Sequence, residues 1–413
     1  MKLSVRNIGK LKSAEIDIAG ITVVAGENNT GKSTLGKALF AVFNGFHDPE
    51  KQVKSSKERS METALAPLRR ASDIGLEWYS LGERVAKQIV RSGVSSTSDL
   101  EALVKNEFID SGFPIDEGSL SESISLIRKR LEISDEEALK ACMTKWLEAE
   151  FGSQVNNIYT DEPGMISLEI QGERADIEIE SDAVKTMTKV FHLGASATYL
   201  DDPFAIDEPM GPRRYPADSA VDHREKLVQS LSGRMRHQNV YDEIIVSDKL
   251  AAVENLLNSV CAGDVVQKGF RLGYVEPGSS DALQMGNLSA GLKTFVIVKR
   301  LLRNGVLKEN GTIILDEPEI HLHPEWQLLF AELIVLLQKK FGMHILLTTH
   351  SPYFLNALEV YSEKHGIDSS CRYYLAKNNG GNSSEVVDVT GDLEQIYSLL
   401  ARPFQVLEDQ VYS

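Results

Sequence analysis

Residues 21–43 read ITVVAGENNTGKSTLGKALFAVF. A five-residue run, apolar but for Thr22, leads into a glycine-bracketed turn, and then Leu35, Ala38, Leu39, Val42 and Phe43 recur. A continuous apolar run marks a strand buried on both faces, and the recurrence marks an amphipathic helix. The turn between them, Gly26-Glu27-Asn28-Asn29-Thr30-Gly31-Lys32-Ser33 with Thr34 behind it, meets the pattern G-x-x-x-x-G-K-[ST]. Its spelling has a chemical reason. A loop between strand and helix can turn its N–H groups inward around an oxyanion. Glycines allow close approach, and the helix start adds the positive end of its dipole. Lys32 is then placed to reach β- and γ-phosphates, and Ser33 to offer its hydroxyl to Mg²⁺. ATP and Mg²⁺ are the cofactors this spelling implies.

A phosphate loop needs a second magnesium partner and a group that polarises water. TIILDEPE, residues 312–319, supplies both. Asp316 falls at the carboxyl end of a buried strand, where ligands sit in open α/β sheets. It would complete the magnesium shell, and Glu317 beside it would act on the attacking water. ILLTTHSP, 345–352, ends a third buried strand in Thr348, Thr349 and His350. His350 reads as a donor to the γ-phosphate, and alternatively as a structural cap before Pro352. NLSAGLKTF, 287–295, sets Ser289 as N-cap of an apolar helix, 27 residues before Asp316 (316 − 289). Alone, a capped helix explains it. A second copy, LSGR at 231–234, has no acidic strand at comparable distance.

The chain has 413 residues, more than one core usually serves, so two domains or one with a large insertion is expected. No run of eighteen apolar residues occurs, and the N-terminus lacks the block of a secretory signal. Cys142, Cys261 and Cys371 are too scattered for a disulfide framework or a metal clamp, which fits a reducing cytoplasm. The formal charge of −16 argues against a surface that grips polyanions all over. The densest basic stretch holds Arg213, Arg214, Arg224, Lys226, Arg234 and Arg236, diluted by Asp218, Asp222 and Glu225. It reads first as a solvated face and second as a nucleic-acid groove. His321 and His323 invite a zinc site, but with no Cys near they fit better as loop residues. Trp326 reads as packing rather than a base-stacking platform. Buried strands alternating with helices give an α/β fold with a mixed or parallel core sheet, split into 1–48 and 241–413. The stretch 49–240 reads as a mostly helical accessory region, with a β-hairpin around Gly172.

The P-loop, the LSAG helix, ILDEPE and TTH, in this order, resemble the ABC-type ATPase heads of the SMC and recombination-repair class. DEPEIHLHPEWQ, 316–327, narrows the likeness to the ATPase module of the Overcoming Lysogenization Defect group and related bacterial AAA-family ATPases, several of them in antiviral defence operons. The resemblance covers about 1–45 and 268–360. It implies that Gly26 to Thr34 form the phosphate loop, that Asp316 is the Walker-B acid, Glu317 the catalytic base and His350 the switch histidine. It further implies that Ser289 and Gly291, with Lys293 as helper, touch the γ-phosphate of ATP held by another subunit, so that at least a homodimer is expected. The zinc-hook Cys pair and long coiled coil of the repair ATPases are absent, and no Q-loop glutamine stands out. Only 63 residues follow His350 (413 − 350), short for a TOPRIM nuclease, so cleavage is expected of a partner. Three readings follow: a cytoplasmic, oligomeric ATP-driven switch regulating a partner nuclease; a scaffold that binds ATP without hydrolysing it; and a DNA-repair or DNA-clamping ATPase that contacts DNA directly. A membrane transporter's ATPase subunit is disfavoured by the split between 45 and 268.

Overall fold

The computed structural model describes residues 1–69, 76–94, 96–210, 219–232, 250–251, 253–379 and 381–412. Arg213, Arg214, Asp218, Arg234 and Arg236 of the basic stretch, and with them the second half of LSGR, lie outside them. The chain forms two compact units, Met1–His47 with Met143–Ser413, and Asp48–Cys142.

The first unit is built on a mixed sheet of eleven strands. They are β1 (Lys2–Ile8), β2 (Leu11–Asp17), β3 (Ile21–Gly26), β4 (Gly164–Ile170), β5 (Glu173–Glu180), β6 (Ala183–Met187), β7 (Ala197–Leu200), then β11 (Thr312–Asp316), β12 (His344–Thr349), β13 (Cys371–Asn378) and β14 (Ser384–Asp388). The spatial order is β6-β5-β4-β1-β2-β14-β13-β3-β12-β11-β7. From β13 to β7 every pairing is parallel. From β6 to β2 every pairing is antiparallel. A second sheet holds β8 (Asp264–Lys268), β9 (Arg271–Val275) and β10 (Leu283–Gln284).

The apolar runs are continuous because the parallel region is covered on both sides. Val23, Leu315 and Leu347 face one core, with Phe295, Phe330 and Phe354 from the helices Ala290–Arg303, Pro324–Phe341 and Pro352–His365. Val24, Ile314 and Leu346, their neighbours in sequence, face the other core with Leu35, Leu39 and Phe40 of the helix Lys32–Gly45. Pro324 opens its helix at the first turn and Gly342 closes it in left-handed conformation.

The fold is the expected mixed α/β type, with strand placements that spelling alone does not give. ATYL at 197–200 is the edge strand of the parallel region, level with β11. Strands β13 and β14 went unread, although β13 is a direct neighbour of the strand that opens the phosphate loop. The compact helical unit spans Asp48–Cys142, shorter than the 49–240 stretch, because residues from Met143 onward pack within the first unit. It has its own core, where Leu81, Val85 and Ile89 meet Leu100, Val104 and Phe108, and Leu120, Ile124 and Ile127. Its helices Thr97–Asp110 and Glu117–Leu131 are capped by Ser96 and Asp116. No helix among the described residues is long and apolar enough to cross a membrane.

Candidate functional site

Strand register brings the site together. In β3 and β12 Ala25 pairs with Thr349, and in β11 and β12 Asp316 pairs with Thr348. Three parallel strands therefore end at one level, and the residues after each end share one edge of the sheet. The loop from Gly26 passes through Asn29 (φ 64°) and Gly31 (φ 80°), both left-handed, before the helix starts at Lys32. Glu27, Asn28, Asn29 and Ser33 are exposed, whereas Thr30 is buried and donates its hydroxyl to the Glu27 carbonyl at 2.8 Å.

Lys32 is almost fully buried. Its ammonium folds back across the loop to the carbonyls of Gly26 (3.1 Å) and Glu27 (2.9 Å) and lies 3.4 Å from Glu317 Oε1. His350 Nδ1 approaches the same Glu317 oxygen at 3.4 Å. One carboxylate thus stands between the loop lysine and the strand-end histidine, though the three come from segments 318 residues apart in the chain at the widest (350 − 32). Glu317 takes a left-handed backbone, φ 50°, which costs a non-glycine residue about 1 kcal/mol or more. The conformation is held by its N–H, which reaches both the carbonyl and the hydroxyl of Thr348 at 3.1 Å.

Asp316 has both oxygens engaged. Thr348 donates its hydroxyl to Oδ1, and Tyr199 donates its phenol to Oδ2 at 2.8 Å. Burial first, and then the Asp316 charge, pushes the Tyr199 phenol well above its ordinary pKa, so it stays a donor. Glu319, three residues on, is also buried. It accepts from the Thr349 hydroxyl and from the His350 N–H (3.3 Å), and its own pKa is raised by burial. It fixes the turn carrying His350. Sequence reasoning missed Tyr199 and Glu319. Glu319 was visible as the third acid of DEPE, but Tyr199 sits on a strand of four residues with no motif around it.

Ser289 is exposed and caps the helix Ala290–Arg303 through the Leu292 N–H at 3.3 Å. Gly291 is buried against the loop after β11: a Cβ there would lie 2.9 Å from the His321 carbonyl oxygen. Lys293 is placed differently from its expected role. Its side chain is 1% exposed, its ammonium pairs with Asp207 at 2.6 Å, and the Phe204 ring lies 4.6 Å away. A lysine so enclosed braces the segment around Asp207 and does not face a neighbour's phosphate. His321 packs edge-on to Phe204 and His323 caps the next helix. No cluster of three or more His, Cys, Asp or Glu suited to a metal occurs among the described residues. Trp326 packs on Phe295 at 5.8 Å.

A family model described as "AAA domain, putative AbiEii toxin, Type IV TA system" matches residues 21–356. Among curated proteins, the "Retron Vc95 probable ATPase" of Vibrio cholerae serotype O1 biovar El Tor is 26% identical over 160 residues, 34% of this chain. The match spans 30% of that relative's length. Among solved structures, an SMC head domain from Thermotoga maritima matches 94% of this chain and 98% of its own, at 11% identity and a TM-score of 0.39. An SmcHead bound to the C-winged helix domain of ScpA matches 95% of this chain and 98% of its own, at 14% identity and a TM-score of 0.42.

Proposed function

The chain belongs to that family of AAA-domain ATPases, and from this premise we propose that it binds and hydrolyses ATP as an oligomeric, nucleotide-driven switch. The convergence of Lys32 and His350 on the Glu317 carboxylate is the observation that carries the reading. In it, the loop N–H groups and the helix start hold the phosphates. Lys32 exchanges the Gly26 and Glu27 carbonyls and Glu317 for phosphate oxygens. Glu317, released from the lysine, accepts the proton of the attacking water, and His350 senses the γ-phosphate. Ser33 and Asp316 are hard oxygen donors at the loop and the strand end. That suits Mg²⁺, which takes few protein ligands and leaves the rest to phosphate and water. When bound, the ion neutralises charge on the phosphoryl group in transfer.

The exposed cap at Ser289 supports assembly with a second copy, whose nucleotide it would meet. The family's description as a toxin of a type IV system, and the likeness to a retron ATPase, support a role beside an effector. A nuclease regulated by nucleotide state in cytoplasmic antiviral defence is the form we favour. Phosphate release assayed on the purified chain tests the activity. Turnover that disappears in Lys32→Ala is the expected result. Nucleotide binding with no release above background would make the chain an ATP-dependent scaffold instead.

A further inference from the structure

Asp316 is also held from a side the phosphate loop does not supply. Tyr199, 1% exposed, reaches Oδ2 from β7, while Thr348 serves Oδ1. Each oxygen keeps one lone pair for an outside partner. The helix behind the loop leaves room for this approach: a Cβ at Gly36 would lie 2.9 Å from the Tyr199 hydroxyl oxygen. The Tyr199 ring stacks on the His223 imidazole, centroids 4.3 Å apart and planes 22° from parallel, and Phe40 stands edge-on to both.

His223 is itself clamped. Its backbone N–H and its Nδ1 meet the two oxygens of buried Glu150 at 2.6 and 2.8 Å. Its Nε2 lies at ion-pair distance, 3.1 Å, from Asp201, which Arg224 binds through two nitrogens at 3.0 and 2.8 Å. Burial alone would discharge the imidazole, but the two carboxylates outweigh it and raise its pKa to about 9. A cation lies against the face of the phenol that grips Asp316. Burying a histidine and two acids is costly, and apolar residues would fill the same space at least as stably.

We propose that Tyr199 is a positioning residue that sets the orientation in which Asp316 holds the metal of a metal–nucleotide complex, and that the Glu150–His223–Asp201 cluster fixes the Tyr199 ring. The inference rests on the reading of Asp316 as the magnesium-holding acid. It goes beyond that reading by naming what holds the acid.

Binding of a fluorescent ATP analogue, titrated in EDTA and then across MgCl₂ concentrations, tests it without relying on turnover. Tyr199→Phe removes one hydroxyl and keeps the ring, so the core stays filled. Its affinity in EDTA should stay within about twofold of wild type. The magnesium midpoint should rise about tenfold, the usual scale for losing an outer partner of a ligand. Asp316→Asn marks the full effect. His223→Gln, which leaves the phenol in place, should move the midpoint the same way by about threefold. The double variant should go no further than Tyr199→Phe. A Tyr199→Phe midpoint within twofold of wild type, while Asp316→Asn moves, overturns the positioning role. A double variant that sums both shifts overturns the link to His223. Wild type whose analogue binding ignores magnesium would sink the metal reading of Asp316 itself, a result distinct from either.

Discussion

The phosphate-loop edge of the sheet and the helical unit Asp48–Cys142 are made in opposite ways. In the helical unit, apolar residues three or four apart on single helices meet in one core, and the helices Thr97–Asp110 and Glu117–Leu131 are closed by caps of their own. At the sheet edge, the groups that matter come from segments far apart, and strand register alone makes them neighbours. There the molecule tolerates a left-handed glutamate, a buried lysine and a buried acid, Glu319. Strain and charge gathered at one edge, with ordinary packing elsewhere, is how proteins concentrate chemistry. The contrast implies that the two regions fail differently when altered.

The sharpest break concerns Glu317. Glu317→Gln keeps size and backbone but removes the proton acceptor, so phosphate release should fall by roughly 10²–10⁴-fold while binding of an ATP analogue persists. A melting temperature close to wild type would confirm that chemistry was lost and packing kept. Phe108→Ala should do the reverse. Phe108 is 1% exposed in the core of the helical unit, and its truncation should cost that unit about 3–5 kcal/mol. Limited proteolysis should then cut within 48–142 while analogue affinity stays within about twofold. Loss of nucleotide affinity in this variant would erase the contrast between the regions.

What was legible follows the same division. Gly26 to Thr34, Asp316, Glu317 and His350 could be named as candidates because the chemistry constrains neighbours in sequence: a phosphate loop must join a strand to a helix, and an acid must end an apolar run. The two-sided burial of β3, β11 and β12 was written in their unbroken apolar spelling. Tyr199 was not legible, since its one essential contact is with a residue 117 positions away and its strand is too short to show a period. Lys293 was misjudged because proximity to Ser289 in sequence says nothing of direction. Four residues on, it lies on the buried side of the same helix. The helical unit was readable as helices, but packing residues carry no record of a ligand.

The His223 cluster bridges the two styles, being charged like the site and buried like a core. Its folded pKa, about 9, stands above the ordinary 6.5, so its contribution to stability is complete below 6.5 and is lost as pH rises through 9. Asp201 works in the other direction. Burial alone would raise it, but His223 and Arg224 hold it at about 2, so its contribution is complete above 3.8 and fades as pH falls through 2. The two shifts share the His223–Asp201 contact, on the order of 2 kcal/mol, and are not added. Wild type should therefore lose several degrees of melting temperature between pH 6.5 and 9.5 that His223→Gln does not lose. Equal slopes for the two proteins would show His223 to be neutral when folded.

A modest expected change in stability is the most informative about assembly. Ser289→Ala removes a helix cap and should cost about 1 kcal/mol. If the residue only caps, turnover follows that modest loss. If it meets nucleotide held by a second copy, turnover falls by about tenfold or more with the fold intact, because the missing contact lies on the reacting molecule. Mixing separates these outcomes. A Lys32→Ala protomer has an intact Ser289, and a Ser289→Ala protomer has an intact loop, so a mixed pair rebuilds one composite site from two defective chains. Random pairing of equal amounts would restore about a quarter of wild-type turnover if dimers form. Activity that never exceeds the average of the two variants would mean that each chain works alone, and Ser289 would return to the role its helix already explains.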